Sequence, residues 1–203
     1  MKIAIIGATG NVGTRIVDEA LRRSHAVTAI ARDPSKLGER AGLTPVAADA
    51  NVPGALAPLL AGHDAIVSSV RFSGSQPDLL IDAVRRSGVK RYLVVGGAGS
   101  LETAPGTLLI ESPHFPPAYF DEASRGKAFL DILRGVSDLD WTMLSPSALF
   151  VPGERTGSFR LGDDTLLTAA DGKSWISYED FAVALIDEIE APKHLRSRFT
   201  VGY

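Results

Sequence analysis

Lys2-Ile3-Ala4-Ile5-Ile6-Gly7-Ala8-Thr9-Gly10-Asn11-Val12-Gly13-Thr14-Arg15-Ile16-Val17 decides the fold of this chain. Five mostly apolar residues read as a buried strand. The glycine turn breaks that strand, and Thr14 to Leu21 then has helical periodicity. Strand, glycine turn and helix in this order form the setting that holds a dinucleotide pyrophosphate. Gly7 permits the tight turn, Gly10 lets backbone approach phosphate, and Gly13 lets the helix pack on the strand. The helix start adds free amides and the positive end of its dipole. Thr9, Asn11 and Val12 complete the expected cradle.

The same alternation continues along the chain. Apolar runs at 26–31, 44–48, 65–69, 91–95 and 141–144 read as strands. Helical patterns fall at 52–60, 77–86, 120–133 and 178–189, the last opened by Ser177 with Asp180 at the capping-box position. Short strands are expected at 158–161, 166–167 and 198–201. Continuous rather than alternating apolar strands indicate a parallel sheet covered on both faces. The fold class is therefore α/β, a doubly wound parallel sheet in one domain over residues 1–203, with a small C-terminal extension on the substrate side.

Two stretches break the rhythm, 96–117 and 146–174. Both follow carboxyl ends of strands, where open α/β sheets bind ligands, so the substrate pocket is expected between them. Surface insertions are the alternative.

Composition narrows the classes. The chain has 203 residues and a net charge of −3, with its 21 basic residues scattered, which gives no footprint for nucleic acid or a membrane surface. No apolar run approaches the roughly 20 residues of a membrane span. The N-terminal apolar run is shorter than a signal peptide. With no cysteine, disulfides and thiolate chemistry are excluded. No His/Asp/Glu cluster has metal spacing. A cytoplasmic protein, monomeric or a small homo-oligomer, is expected.

The end of the second strand bears on the cofactor. Arg32 is placed to stack on adenine and pair with a 2′-phosphate, and Lys36 adds charge. Asp33 lies where an NAD-selective acid would, but Asp before Pro34 is also a helix start. The cap reading is preferred, hence NADP(H) over NAD(H). Asp49 could accept from the adenine amine or simply cap a turn, with Ala50 beside it. Ser68, Ser69 and Val70 are expected on the ribose side.

Gly7-x-x-Gly10-x-x-Gly13, Arg32-Asp33-Pro34, Val94-Val95-Gly96-Gly97-Ala98-Gly99-Ser100 and Asp140-Trp141-Thr142-Met143-Leu144-Ser145-Pro146 resemble the atypical short-chain dehydrogenase/reductase group. Within it the chain is similar to NAD(P)H-binding proteins described as NADH-flavin reductases, relatives of biliverdin reductase B and of NmrA-like proteins. The tail from Ile176 to Ala182 and from Arg198 to Tyr203 shares the likeness. The resemblance implies a Rossmann sheet with Gly96 and Gly97 near the cofactor and Pro146, Ser147 and Ala148 bordering the nicotinamide. It also implies a Tyr-x-x-x-Lys pair, from which this chain departs. Tyr119 is followed four residues later by Ala123, and Lys127 lies eight residues on, roughly 12 Å along a helix.

Hydride transfer to a planar acceptor needs no such pair, since the cofactor carries the chemistry. The expected activity is hydride transfer from NAD(P)H to a flavin, quinone or similar planar acceptor. The alternative is an NmrA-like dinucleotide sensor without turnover. A nucleotide-sugar epimerase or dehydratase is less favoured, because those proteins normally keep the tyrosine and carry a larger C-terminal domain. Phe72, His114, Phe115, Tyr119 and Phe150 are candidates for a stacking slot. Candidates for catalytic contact are Ser100, His114, Tyr119 and Lys127; each has an ordinary loop, cap or surface alternative.

Overall fold

The computed structural model describes residues 1–203. The first half alternates as expected: β1 (Lys2–Ile6), α1 (Asn11–Arg22), β2 (Ala26–Ala31), β3 (Leu43–Ala47), α2 (Pro53–Leu60), β4 (Ala65–Ser68), α3 (Pro77–Ser87) and β5 (Arg91–Val95). Next come the short β6 (Glu102–Ala104) and β7 (Thr107–Leu108), then α4 (Phe120–Arg134) and β8 (Asp140–Pro146). The chain closes with β9 (Leu149–Val151), β10 (Arg160–Gly162), β11 (Trp175–Ser177), α5 (Tyr178–Glu190) and β12 (Ser197–Gly202).

Eight strands form one sheet in the order β10-β12-β8-β5-β4-β1-β2-β3. All its pairings are parallel except β10 with β12, which is antiparallel at the edge. From β1 the chain winds outward through β2 to β3, then crosses to β4 on the other side of β1. The carboxyl ends of β1 and β4 are thus a topological switch point, the place where an open sheet leaves a crevice.

Apolar side chains pack on both faces. α1 and α5 pack together over one, where Ile16, Val17, Phe181 and Leu185 meet Ile3, Ile5 and Val67. α2, α3 and α4 cover the other, where Leu56, Leu80, Val84 and Phe129 meet Ala4, Ile66 and Tyr92. Full burial of each large side chain contributes about 1.5–3 kcal/mol, which is why continuous apolar strands can be central here.

The irregular stretches are more ordered than the sequence suggests. No strand forms at 166–167. Instead Thr165 bridges Glu102, the Glu102 amide donates to the Asp164 carbonyl at 2.8 Å, and Leu166 donates to Glu102 at 2.9 Å. The two long loops therefore hold each other through main chain. β9 and β11 pair in parallel as a separate small sheet. Ser177 does cap α5, accepting from the Asp180 amide at 3.0 Å. The Asp180 carboxylate does not return to complete a capping box. It is fully buried, and accepts from Thr156 Oγ1 at 2.5 Å, the Gly157 amide at 2.8 Å and Tyr203 Oη at 2.6 Å, donors that pin the loop before β10 and the C-terminus.

Candidate functional site

The glycine turn forms by main-chain bonding. Gly7 and Ala8 donate to the Ile30 carbonyl at 2.8 and 3.2 Å, and Gly10 donates to Gly7 at 3.0 Å. Gly7 has φ +82°, and a Cβ there would lie 2.3 Å from the Ser69 carbonyl oxygen. At Gly13 a Cβ would lie 2.2 Å from the Gly7 oxygen, so α1 can sit against the turn only without one. α1 begins with no side-chain cap and no acidic residue in its first turn. Gly10, Asn11 and Val12, at its start, line the crevice, and orphan amides at a helix N-terminus are ready partners for an anion.

Three hollows run in sequence along the strand ends. The first, of about 280 Å³, is lined by Gly7, Thr9, Gly10, Arg32, Asp49 and Ala50, with Ser69 and Val70. The second, of about 630 Å³, shares Gly10, Ser69, Val70 and Arg71 with the first and adds Asn11, Val12, Phe150 and Tyr178. The third, also about 630 Å³, shares Phe72, Gly96, Tyr119 and Glu122 with the second. It lies between the two long loops, reaching from Gly97–Ser100 and Leu109–Pro116 across to Ala148 and Leu149.

Most of the residues expected from sequence meet along this groove; five lie elsewhere. Ser68 is buried inside the sheet. Pro146 and Ser147 are buried at the end of β8, where the Ser147 hydroxyl donates to the Val201 carbonyl at 3.2 Å rather than facing the crevice. Lys36 is exposed on the 3-10 turn Pro34–Leu37, outside the three hollows, because that turn carries it away from the strand end. Gly13 stands behind the turn as packing.

At the β2 end of the groove, Asp33 is the N-cap of the Pro34–Leu37 turn, accepting from the Ser35 amide at 3.1 Å and the Ser35 hydroxyl at 2.6 Å. Those bonds hold its carboxyl below the usual range. Arg32 is exposed, and neither it nor Arg71 enters an ion pair. Two uncommitted guanidiniums along a crevice fit a phosphate-bearing ligand.

Ser100, His114, Tyr119 and Lys127 all line the third hollow. Buried Ser100 accepts from Arg198 at 3.3 Å. Tyr119 is 63% exposed at the rim. Lys127 Nζ bonds Asp131 at 2.8 Å, one helical turn further along α4. His114 is exposed, its amide donating to Ser112 Oγ at 3.3 Å. Of the stacking candidates, Phe72, His114, Phe115 and Tyr119 line this hollow, whereas Phe150 lines the second and packs on Tyr178 and Phe181.

Three residues along the groove escaped the sequence reading. Arg71 follows the β4 turn. Asn51 donates to the Gly74 carbonyl and accepts from the Gln76 amide, both at 3.1 Å. Glu122 accepts from the amides of Phe72 and Ser73. None lies in a motif, so only the folded chain brings them together. No group of three His, Asp or Glu is placed to hold a metal ion, and no helix is long and apolar enough to cross a membrane.

Comparison with known proteins agrees with this geometry. The model of the NAD(P)H-binding family matches residues 7–192. A proposed exported protein of Burkholderia pseudomallei is 43% identical with TM-score 0.91, each chain covered in full. A proposed epimerase of Bacteroides thetaiotaomicron is 40% identical with TM-score 0.95, covering all of this chain and 96% of the other. A proposed NADH-flavin reductase of Streptococcus pneumoniae TIGR4 is 34% identical with TM-score 0.86, covering all of this chain and 99% of the other. The crevice fits a nicotinamide dinucleotide, and the chain belongs to the NAD(P)H-binding family.

Proposed function

We propose that this protein is an NADPH-dependent reductase that passes hydride to a flavin, quinone or similar planar acceptor. One observation carries the reading: the dinucleotide groove and the third hollow share a wall of Phe72, Gly96, Tyr119 and Glu122. A ligand in that hollow lies next to the far end of a groove that begins at Arg32.

The dinucleotide, when bound, supplies the hydride. Gly7, Gly10 and the start of α1 would hold its diphosphate, and Arg32 its 2′-phosphate. Asp33 already serves as a cap, which favours the extra phosphate over a bare ribose at this position. Phe72, Phe115, Leu109 and Leu149 give the acceptor cavity apolar walls. Such walls orient a flat conjugated ring and exclude water from the reacting face. Lys127 is bonded to Asp131 and so does not serve Tyr119 as the cationic neighbour that makes a tyrosine a ready proton donor. A conjugated acceptor can take its proton from solvent through the open mouth of the hollow.

The test is NADPH oxidation by purified protein with FMN, riboflavin, dichlorophenolindophenol and small quinones, followed at the nicotinamide absorbance. Turnover with one or more of them supports the reading. Tight dinucleotide binding with none of them turned over would favour the sensing alternative. The name of the Bacteroides relative adds one control, interconversion of a nucleotide sugar.

A further inference from the structure

The turn after β4 is clamped from both sides. On the adenosine side Asn51 holds the Gly74 carbonyl and the Gln76 amide. On the other side Glu122, in the first turn of α4, takes the Phe72 amide on Oε1 at 2.7 Å and the Ser73 amide on Oε2 at 2.9 Å. Within the turn Ser75 Oγ donates to the Arg71 carbonyl at 2.9 Å. Glu122 has no Lys, Arg or His partner, and it is the only carboxylate that lines both the second and third hollows.

We infer that Glu122 is a positioning residue: by holding the amides of Phe72 and Ser73 it fixes Arg71 in the dinucleotide groove and Phe72 in the acceptor wall at once. The acceptor half rests on the reductase reading; the dinucleotide half does not. The chemistry is specific to a carboxylate. Two consecutive amides need two acceptor oxygens, and the negative charge strengthens both bonds. Its place at the start of α4 suits the helix dipole. A glutamine would satisfy one amide and set its own N–H groups against the other.

The Phe72 side is equally constrained. Its ring is 8% exposed and meets Phe129 edge-on, with centroids 5.9 Å apart. A Cβ on Gly126, one turn of α4 beyond Glu122, would lie 2.7 Å from that ring. The ring therefore has no slack toward α4, and its position follows the backbone that Glu122 holds. Arg71, next in the chain, lines the first two hollows from the same turn.

The experiment is calorimetric titration of NADPH into wild type, Glu122→Gln, Arg71→Ala and the double variant, with melting temperatures alongside. Glu122→Gln and Arg71→Ala are each expected to weaken NADPH about tenfold. The double variant should match Arg71→Ala within about twofold, because both changes act through one guanidinium. A general loosening of the protein would instead give additive losses. Full additivity, or wild-type affinity in a folded Glu122→Gln, overturns the inference. Should Glu122→Gln fail to fold, Glu122→Asp keeps the charge on a shorter stem and is expected to show the same non-additivity with Arg71→Ala. If wild type itself binds no NADPH, the cofactor assignment fails; if wild type binds and the cycle is additive, only the role of Glu122 fails.

Discussion

A side chain at Gly13 would place its Cβ 2.2 Å from the Gly7 carbonyl oxygen. The two glycines are therefore one device: the first bends the chain off β1, and the second lets α1 close onto that bend. Gly13→Ala must push α1 outward or open the turn. It is expected to cost about 1–3 kcal/mol of stability and to weaken dinucleotide binding at the same time. Chemical denaturation and calorimetry on the one variant check both effects.

The proposed preference for NADPH rests on Arg32. Arg32→Ala is expected to weaken NADPH by about 10–100-fold and NADH by no more than about threefold, because only NADPH carries the phosphate that a guanidinium grips. Equal losses for the two would mean that Arg32 only stacks on adenine.

Glu19 makes the fold acid-sensitive. Burial on α1 raises its pKa, but hydrogen bonds from Arg155, Arg22 and Arg23 outweigh that and pull it from 4.5 to about 2. Arg155 reaches it from the loop before β10, with Nε 2.8 Å from Oε2. A folded-state pKa below the unfolded one gives stability that is complete above pH 4.5 and is lost as pH falls toward 2. Glu19→Gln replaces a buried carboxylate by a neutral amide facing three guanidiniums, of which Arg23 alone is mostly buried, so it should destabilise the protein by about 2–3 kcal/mol at pH 7. That deficit should shrink as pH falls from 4.5 toward 2, because unfolded wild type takes up the Glu19 proton over this range while the folded protein still excludes it. Urea melts of both proteins across pH 3–7 test it, and a deficit independent of pH would contradict it.

Lys127 holds Asp131, not Tyr119. Lys127→Met is therefore expected to leave turnover with the preferred acceptor within about threefold of wild type. A loss of about a hundredfold or more would mean that the lysine swings to Tyr119 during the reaction and acts as its cationic neighbour.

Much of this was legible in the sequence, because it rests on short-range chemistry. The glycine turn, the parallel strands and the Asp33 cap each follow from neighbours in the chain. The Ser177 cap was equally local, but the fate of the Asp180 carboxylate was not, since its donors come from Thr156, Gly157 and the C-terminal Tyr203. The short strands β6, β7, β9 and β11 also escaped. They have two or three residues each and little propensity of their own, and each is held by its partner, β6 by β7 and β9 by β11. The same limit hid Glu122, Asn51 and Arg71, three polar residues with no motif around them that the fold gathers along one groove. Nor could the sequence tell that Pro146 and Ser147 are buried and line none of the three hollows, because the face a strand end turns outward depends on β12 beside it.

The proposed function depends on the first βα junction holding a dinucleotide diphosphate. Calorimetric titration of the purified protein with NADPH and with NADH tests it most directly. Saturable one-to-one binding of NADPH is expected, tighter than that of NADH and weakened by Gly13→Ala. Absence of saturable binding to either nucleotide would contradict it.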